Sequence, residues 1–113
     1  MQGRDKEAAR AITEMARDLE SAGCYCVILE AVPLELGKEI TETLSVPTIG
    51  IGAGPYCDGQ VLVVNDMLGM YDKFSPRFVK KFANLADDMK KAFETYVEEV
   101  KQGKFPEEKH SFI

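Results

Sequence analysis

The stretch Cys24-Tyr-Cys-Val-Ile-Leu-Glu30 decides the fold of this chain. Its first six residues are apolar without alternation, which is typical of a strand that helices cover on both faces, as in a parallel sheet. Before it, residues 5–22 repeat apolar side chains every three or four positions and predict a helix, with Asp5 as N-cap and Gly23 as the left-handed stop. This order of elements favours an α/β protein.

Further helix and strand patterns follow the buried strand. Pro33 suits the first turn of a second helix. Val46–Ile51 predicts a second strand, and Gln60–Val64 predicts a third. The connection Gly52–Gly59 is shorter than the dozen or so residues that a parallel crossover needs. The second and third strands therefore either pair antiparallel or are joined by a crossover that has shrunk to a turn.

The last part of the chain is predicted to be helical. Ser75-Pro76 has the pattern of an N-cap followed by the first residue of a short helix. A longer helix is predicted from Ala86 to Gln102, where an apolar stripe runs up to Gly103. Residues 104–113 show no periodicity and are interpreted as a C-terminal tail within a single domain, residues 1–113.

Three buried strands make a narrow sheet with unpaired edges. The outer strands would offer free N–H and C=O groups to solvent, and they are too apolar to be exposed edge strands. We therefore expect the chain to be the tail of a larger α/β domain, or to need partner chains that close the sheet. A (β/α)8 barrel takes about 250 residues, and this chain would supply its last three strands.

The composition excludes several classes of partner. Fourteen basic and nineteen acidic residues give a net charge of −5, which leaves no basic surface for nucleic acid. No apolar run approaches the roughly 20 residues of a membrane helix, and no secretory signal follows Met1. Cys24, Cys26 and Cys57 lack the spacing of a zinc or redox motif. Sparse, unpaired cysteines fit a reducing, cytoplasmic compartment.

Glu30 is the strongest candidate for chemistry. It stands at the C-terminal end of a predicted parallel strand, which is where ligands bind in α/β barrels and open α/β sheets. A carboxyl group at the mouth of an apolar pocket is desolvated, and this suits it to act as a general base near neutral pH. The alternatives are a solvated glutamate or a salt bridge at a helix entry.

The other candidate residues have weaker signals. The loop Gly50-Ile-Gly-Ala-Gly54 presents backbone N–H groups that suit an anion such as phosphate, or its glycines serve close packing and a tight turn. Asp58 is interpreted as turn chemistry rather than as a metal ligand, and Asp66 at the end of the third strand is open to a site role. His110 and Cys57 have no catalytic partner nearby in the sequence. No set of metal ligands can be assembled from the chain.

Several motifs, in order and spacing, resemble the ketopantoate hydroxymethyltransferase family. They are Gln2-Gly-Arg4, Leu29-Glu-Ala-Val-Pro33, Ile40-Thr41, Val46–Gly54, Asp58–Val63, Asp66, Leu68-Gly69 and Phe105–Phe112. The resemblance covers essentially the whole chain and corresponds to the C-terminal part of the family's TIM barrel. The family also contains a short connection where Gly52–Gly59 stands.

The resemblance implies hydroxymethyl transfer from 5,10-methylenetetrahydrofolate to the 2-oxo acid 3-methyl-2-oxobutanoate, which gives 2-dehydropantoate for pantothenate biosynthesis. In the family a magnesium ion (Mg2+) binds the 2-oxo acid, and Glu30 matches the glutamate that accepts the proton. The magnesium ligands lie on earlier strands that have no counterpart here, so the isolated chain is expected to be inactive. The full-length family is expected to form ring-like homo-oligomers. The residues that contact folate are not identified.

Two other functions remain open at this point. The first is a barrel fragment that binds a phosphate through Gly50–Gly54. The second is a non-enzymatic, truncated chain whose role is to assemble with another subunit, which the unclosed sheet suggests.

Overall fold

The computed structural model describes residues 1–113. Its elements are α1 (Lys6–Ser21), β1 (Val27–Glu30), α2 (Leu34–Thr43), β2 (Thr48–Ile51), β3 (Gly59–Gln60), α3 (Val64–Met67), α4 (Ala86–Lys101) and a 3-10 turn (Glu108–His110). They form two compact units, which we call the sheet unit (residues 1–63 and 76–79) and the helical unit (residues 64–75 and 80–113). None of the helices has both the length and the apolar character needed to cross a bilayer.

The α/β class is confirmed by a three-stranded parallel sheet in the order β1-β2-β3. The pairing of β2 with β3 is parallel, so the short connection is a crossover reduced to a turn. The predicted third strand is wrong beyond Gln60, because Val64 already begins α3. β2 leaves the sheet at Gly52, whose φ is +66°. The Val61 N–H still donates a hydrogen bond to the Gly50 carbonyl (3.0 Å). Beyond Val61, the chain therefore has no neighbouring strand with which to pair.

Strand β1 is buried on one face only. Val27 and Leu29 of β1 are buried in the same apolar cluster as Ala16 of α1 and Ile40 of α2. Between them, Ile28 is 64% exposed. The expectation of a strand buried on both faces is thus wrong for this chain, because α1 and α2 both contribute to the cluster on one side. We call the other side of the sheet, which carries Ile28 and Glu30, the open face.

The helix signals of the sheet unit are largely confirmed. The Asp5 side chain accepts a hydrogen bond from the Ala8 N–H (2.8 Å) and caps α1. Gly23 has a φ of +104°, as a left-handed stop requires. Pro33 precedes α2 as its N-cap rather than occupying its first turn. Cys24 and Cys26 precede β1 and are half-buried, so their predicted place inside a buried strand is wrong.

The segment after Ser75 does not form the predicted short helix. It contains a single turn, closed by the Val79 N–H donating to the Pro76 carbonyl at 3.0 Å. A continuing helix would bond the Phe82 N–H to the carbonyl four residues before it. That N–H instead donates to the Met67 carbonyl at 2.7 Å, so the chain is held in an irregular path.

The long helix of the helical unit is confirmed as α4, and Gly103 follows it with a φ of +70°. Its apolar stripe, however, is not buried. Phe93 is 63% exposed, and no residue of α4 is buried. The stripe thus marks a surface that this chain does not cover.

Candidate functional site

Glu30 lies where the sequence places it, at the C-terminal end of β1 and in register with Ile51 of β2. Its side chain is exposed on the open face, as is that of Ile28. The carboxylate borders a cleft of about 290 Å³ whose other walls include Ile12, Met15 and Ile28. The surroundings of Glu30 are therefore largely apolar, but the side chain is exposed. The expected desolvation is thus wrong for this chain, and the structure shows the alternative of a solvated glutamate.

The alternative of a salt-bridged Glu30 is not seen. The one ion pair of the structure joins Lys109 to Glu107, at 3.2 Å. The Glu30 carboxylate therefore has no cationic partner in the structure.

The backbone immediately after Glu30 is strained. Ala31 has a φ of +52°, the only such value at a residue other than glycine. Its N–H donates to the Ile51 carbonyl (2.9 Å), and its own carbonyl accepts from the Gln2 N–H (2.9 Å). Such a conformation costs of order 1–3 kcal/mol and is concentrated at functional sites. This conformation is not predictable from the sequence, because alanine carries no signal for the left-handed region.

A second cleft lies at the same end of the strands, and we call it the arginine cleft. Its volume is about 560 Å³. Ala31, just after β1, and Gly52, just after β2, are part of its wall. Its other walls include Arg4, Leu34, Arg77 and Phe78. Neither arginine is recognisable as a site residue from the sequence, because Arg4 and Arg77 are far apart along the chain and belong to no shared motif.

The glycines of the loop Gly50–Gly54 are required by packing. A Cβ at Gly52 would stand 2.7 Å from the Phe78 ring, and one at Gly54 would stand 2.5 Å from the Cβ of Leu34. Both glycines also have φ in the left-handed region, at +66° and +82°. These contacts support the close-packing interpretation of the loop, and its glycines need no phosphate to explain them.

Asp58 ties the β2–β3 connection to β2. Its carboxylate accepts a hydrogen bond from the Thr48 N–H (2.8 Å), and its own N–H donates to the Thr48 Oγ1 (3.3 Å). Thr48 is fully buried, and its hydroxyl also lies 2.8 Å from that of Thr41. Asp58 therefore has a structural role. Its partner lies ten residues away, where no local turn pattern would reveal it.

The remaining candidates are dispersed. Cys57 is buried beside Gly50, where an added Cβ would stand 2.9 Å from the Cys57 sulfur. In the helical unit, Asp66 lies in α3 rather than at a strand end. His110 is exposed in the 3-10 turn, where its Nδ1 accepts from the Glu107 N–H at 3.2 Å. No three His, Cys, Asp or Glu side chains come close enough to hold a metal ion.

Comparisons with known proteins show which family this chain is similar to. A sequence model described as ketopantoate hydroxymethyltransferase matches residues 1–108. The chain is 58% identical over 112 residues to a 3-methyl-2-oxobutanoate hydroxymethyltransferase of Syntrophomonas wolfei. It is 56% identical over 113 residues to the protein of that name from Syntrophus aciditrophicus, and 55% identical over 112 residues to the one from Enterococcus faecalis.

These matches cover nearly all of this chain but a minor part of each relative. They take in 99%, 100% and 99% of the chain, and 41%, 42% and 41% of the respective relatives. The matched part is the C-terminal portion of the relatives. The chain thus spans about two fifths of the length of the curated proteins that it matches.

Proposed function

The chain belongs to the ketopantoate hydroxymethyltransferase family, and we propose that it contributes the general base to an enzyme of that activity. The proposed reaction transfers the one-carbon unit of 5,10-methylenetetrahydrofolate to 3-methyl-2-oxobutanoate and gives 2-dehydropantoate. In this proposal Glu30 is the catalytic residue. Its sequence context, Leu29-Glu-Ala-Val-Pro33, is the one that carries the resemblance.

The position of Glu30 on the open face is the observation that carries the proposal. In a (β/α)8 barrel the helices form the outer ring, so the face of a strand that helices leave uncovered points to the barrel interior. Glu30 stands on that face and at the carboxyl end of β1. The carboxyl end is the side at which barrel enzymes build their active sites. In the closed barrel of this proposal, Glu30 would therefore lie at the mouth of the active site instead of in bulk solvent.

The chemistry assigned to Glu30 is one proton transfer. Its carboxylate takes the proton from the carbon next to the carbonyl of the 2-oxo acid, and that carbon becomes the nucleophile. The nucleophilic carbon bonds to the one-carbon unit, both C–N bonds of that unit break, and a water supplies the hydroxyl oxygen of the product. The two nitrogens of the released tetrahydrofolate take up the proton that Glu30 abstracted and one proton of the water. The backbone directly after Glu30 is fixed by the two hydrogen bonds of Ala31.

The magnesium ion of the proposed reaction is not provided for by this chain. The described residues assemble no group of three potential ligands. In the proposal the metal ligands belong to the part of the relatives that this chain does not match. When bound there, the ion would act as a Lewis acid on the carbonyl group.

The test of the proposed function is Glu30→Gln in the full-length gene product. Loss of a general base typically lowers the rate about 100- to 10,000-fold, and we expect kcat for hydroxymethyl transfer to fall in that range. Because glutamine keeps the shape of the side chain, the 2-oxo acid should still bind. Exchange of its carbon-bound proton with deuterium, followed by NMR without any folate, isolates the step.

Glu42→Gln on the exposed face of α2 is the matched control, and it should leave both rates unchanged. Unaltered proton exchange in the Glu30→Gln variant would refute the assignment of the base. A loss of exchange in both variants would indicate a structural effect instead.

Assembly with another subunit is the second candidate function, and the exposed apolar surface favours it. Ile28 on the open face is 64% exposed, and Phe93 on α4 is 63% exposed. Large exposed apolar patches mark interaction surfaces. Light scattering on the purified 113-residue chain tests this candidate, since a stable monomer would contradict it. The homo-oligomer and the cytoplasmic location stay predictions, the latter supported by three free cysteines.

A further inference from the structure

The arginine cleft takes no part in the proposed proton transfer, yet it has the dimensions of a ligand site. Its volume of about 560 Å³ lies within the usual range of ligand pockets, roughly 300–1,000 Å³. Ala31 and Gly52 place it at the carboxyl ends of β1 and β2. It is thus next to the strand end that carries Glu30.

The charge of the cleft selects an anion. Arg4 and Arg77 both border it, and no acidic residue does, although the chain as a whole has a net charge of −5. Neither arginine forms an ion pair, since the one pair present joins Lys109 to Glu107. Two unpaired guanidinium groups on one cleft suit carboxylate or phosphate oxygens, which they bind through paired hydrogen bonds.

The walls of the cleft select an anion that also carries an apolar, flat group. The Phe78 ring packs against Gly52 and is 40% exposed, and Leu34 beside it is 46% exposed. An aromatic ring offers a surface on which another ring can stack. A simple phosphate would meet the arginines but would leave this apolar wall in water. The complementary ligand is therefore an aromatic ring joined to carboxylates.

We propose that the arginine cleft binds the p-aminobenzoylglutamate portion of the one-carbon donor. The benzoyl ring lies against Phe78, and the glutamate carboxylates bind Arg4 and Arg77. The identity of the donor rests on the proposed function above, whereas the ligand chemistry follows from the cleft itself. The cleft includes Ala31, the residue directly after Glu30, whereas Glu30 itself borders the neighbouring cleft.

Binding of p-aminobenzoyl-L-glutamate to the full-length gene product tests the inference without requiring activity. Calorimetric titration should show binding that Arg4→Gln and Arg77→Gln each weaken about tenfold, as expected for loss of a charge-assisted hydrogen bond. Arg77→Lys keeps the charge without the planar fork, so it should weaken binding less. Arg17→Gln on α1, which removes the same charge away from the cleft, should have no effect.

Two further probes separate the ligand classes. Free p-aminobenzoate lacks the glutamate carboxylates and should bind much more weakly, and inorganic phosphate should not displace p-aminobenzoyl-L-glutamate at equal concentration. Equal binding of the ligand by wild type and both arginine variants would overturn the inference. So would arginine-dependent binding of phosphate together with no binding of p-aminobenzoyl-L-glutamate.

The outcome is independent of the test of Glu30. Arginine-dependent binding of p-aminobenzoyl-L-glutamate by a protein that transfers no hydroxymethyl group would support the cleft and refute the proposed reaction. Suppose instead that hydroxymethyl transfer depends on Glu30, while the arginine variants leave the KM of the folate donor unchanged. That result would support the proposed reaction and refute binding of the donor in the arginine cleft.

Discussion

Helices α1 and α4 have the same length and opposite burial. Each contains 16 residues and presents an apolar stripe. α1 buries Thr13 and Ala16 in the sheet unit, whereas α4 buries no residue. An amphipathic pattern therefore predicts that a helix forms and which side seeks a partner. It does not tell whether that partner is in the same chain.

The same contrast separates the two units as a whole. All nine buried apolar residues belong to the sheet unit, from Ala16 to Cys57. In the helical unit, side chains such as Phe93 and Tyr96 are more than half exposed. Since most helical stability in proteins comes from packing of an apolar face, we expect the sheet unit to respond strongly to core substitutions and the helical unit to respond weakly.

The largest expected effect is that of Ile40→Ala. Ile40 of α2 is completely buried, and truncation of such a side chain costs about 2–5 kcal/mol in the free energy of unfolding. Phe93→Ala on α4 should cost less than about 0.5 kcal/mol, as surface substitutions usually do. Urea unfolding of the 113-residue chain measures both. Equal losses would show that α4 buries its stripe in solution, and the contrast between the units would be wrong.

The next largest effect comes from comparing one glycine of the sheet unit with one of the helical unit. A Cβ at Gly37 of α2 would overlap the Ala53 carbonyl oxygen, and overpacking of this kind costs about 1–3 kcal/mol. Gly103 after α4 has nothing within 4 Å, so Gly103→Ala meets only the left-handed backbone penalty, about 1–2 kcal/mol. Thermal unfolding of each alanine variant tests this. A tolerated Gly37→Ala would mean that α2 is not pressed against Ala53.

The smallest effect concerns carboxylates. Asp58→Ala leaves the Thr48 N–H without its partner, and an unsatisfied buried donor costs about 1–3 kcal/mol. We expect the lower end of that range, because Asp58 is exposed and water can reach its site. Asp88→Ala in the first turn of α4 removes a favourable helix-dipole contact, worth about 0.3–1 kcal/mol. Denaturation curves in which Asp88→Ala is the costlier change would contradict the role given to Asp58.

Local signals in the sequence predicted much of the sheet unit. Asp5, Gly23 and the apolar run ending at Leu29 each act through neighbours in the chain, so their roles are legible there. The pattern predicts too long a third strand, because the length of a strand depends on its neighbour. β2 leaves the sheet at Gly52, and nothing in residues 61–64 reports that.

The candidate site divides in the same way. Glu30 was identified because it follows an apolar strand and carries a family motif. Three other features are not predictable from the sequence: the strained Ala31, the Asp58–Thr48 hydrogen bonds and the arginine cleft. Each of them joins residues that are distant in sequence or uses a backbone conformation that its residue type does not signal.

The sequence by itself determined the α/β order of elements, the family and the position of Glu30 at a strand end, because periodicity, caps and motifs are local properties. Only the tertiary structure decided that the sheet is parallel throughout and that one face stays open. It alone brought Arg4 and Arg77 to one cleft. Pairing, burial and convergence of charges depend on which distant segments meet, and a linear pattern does not record that.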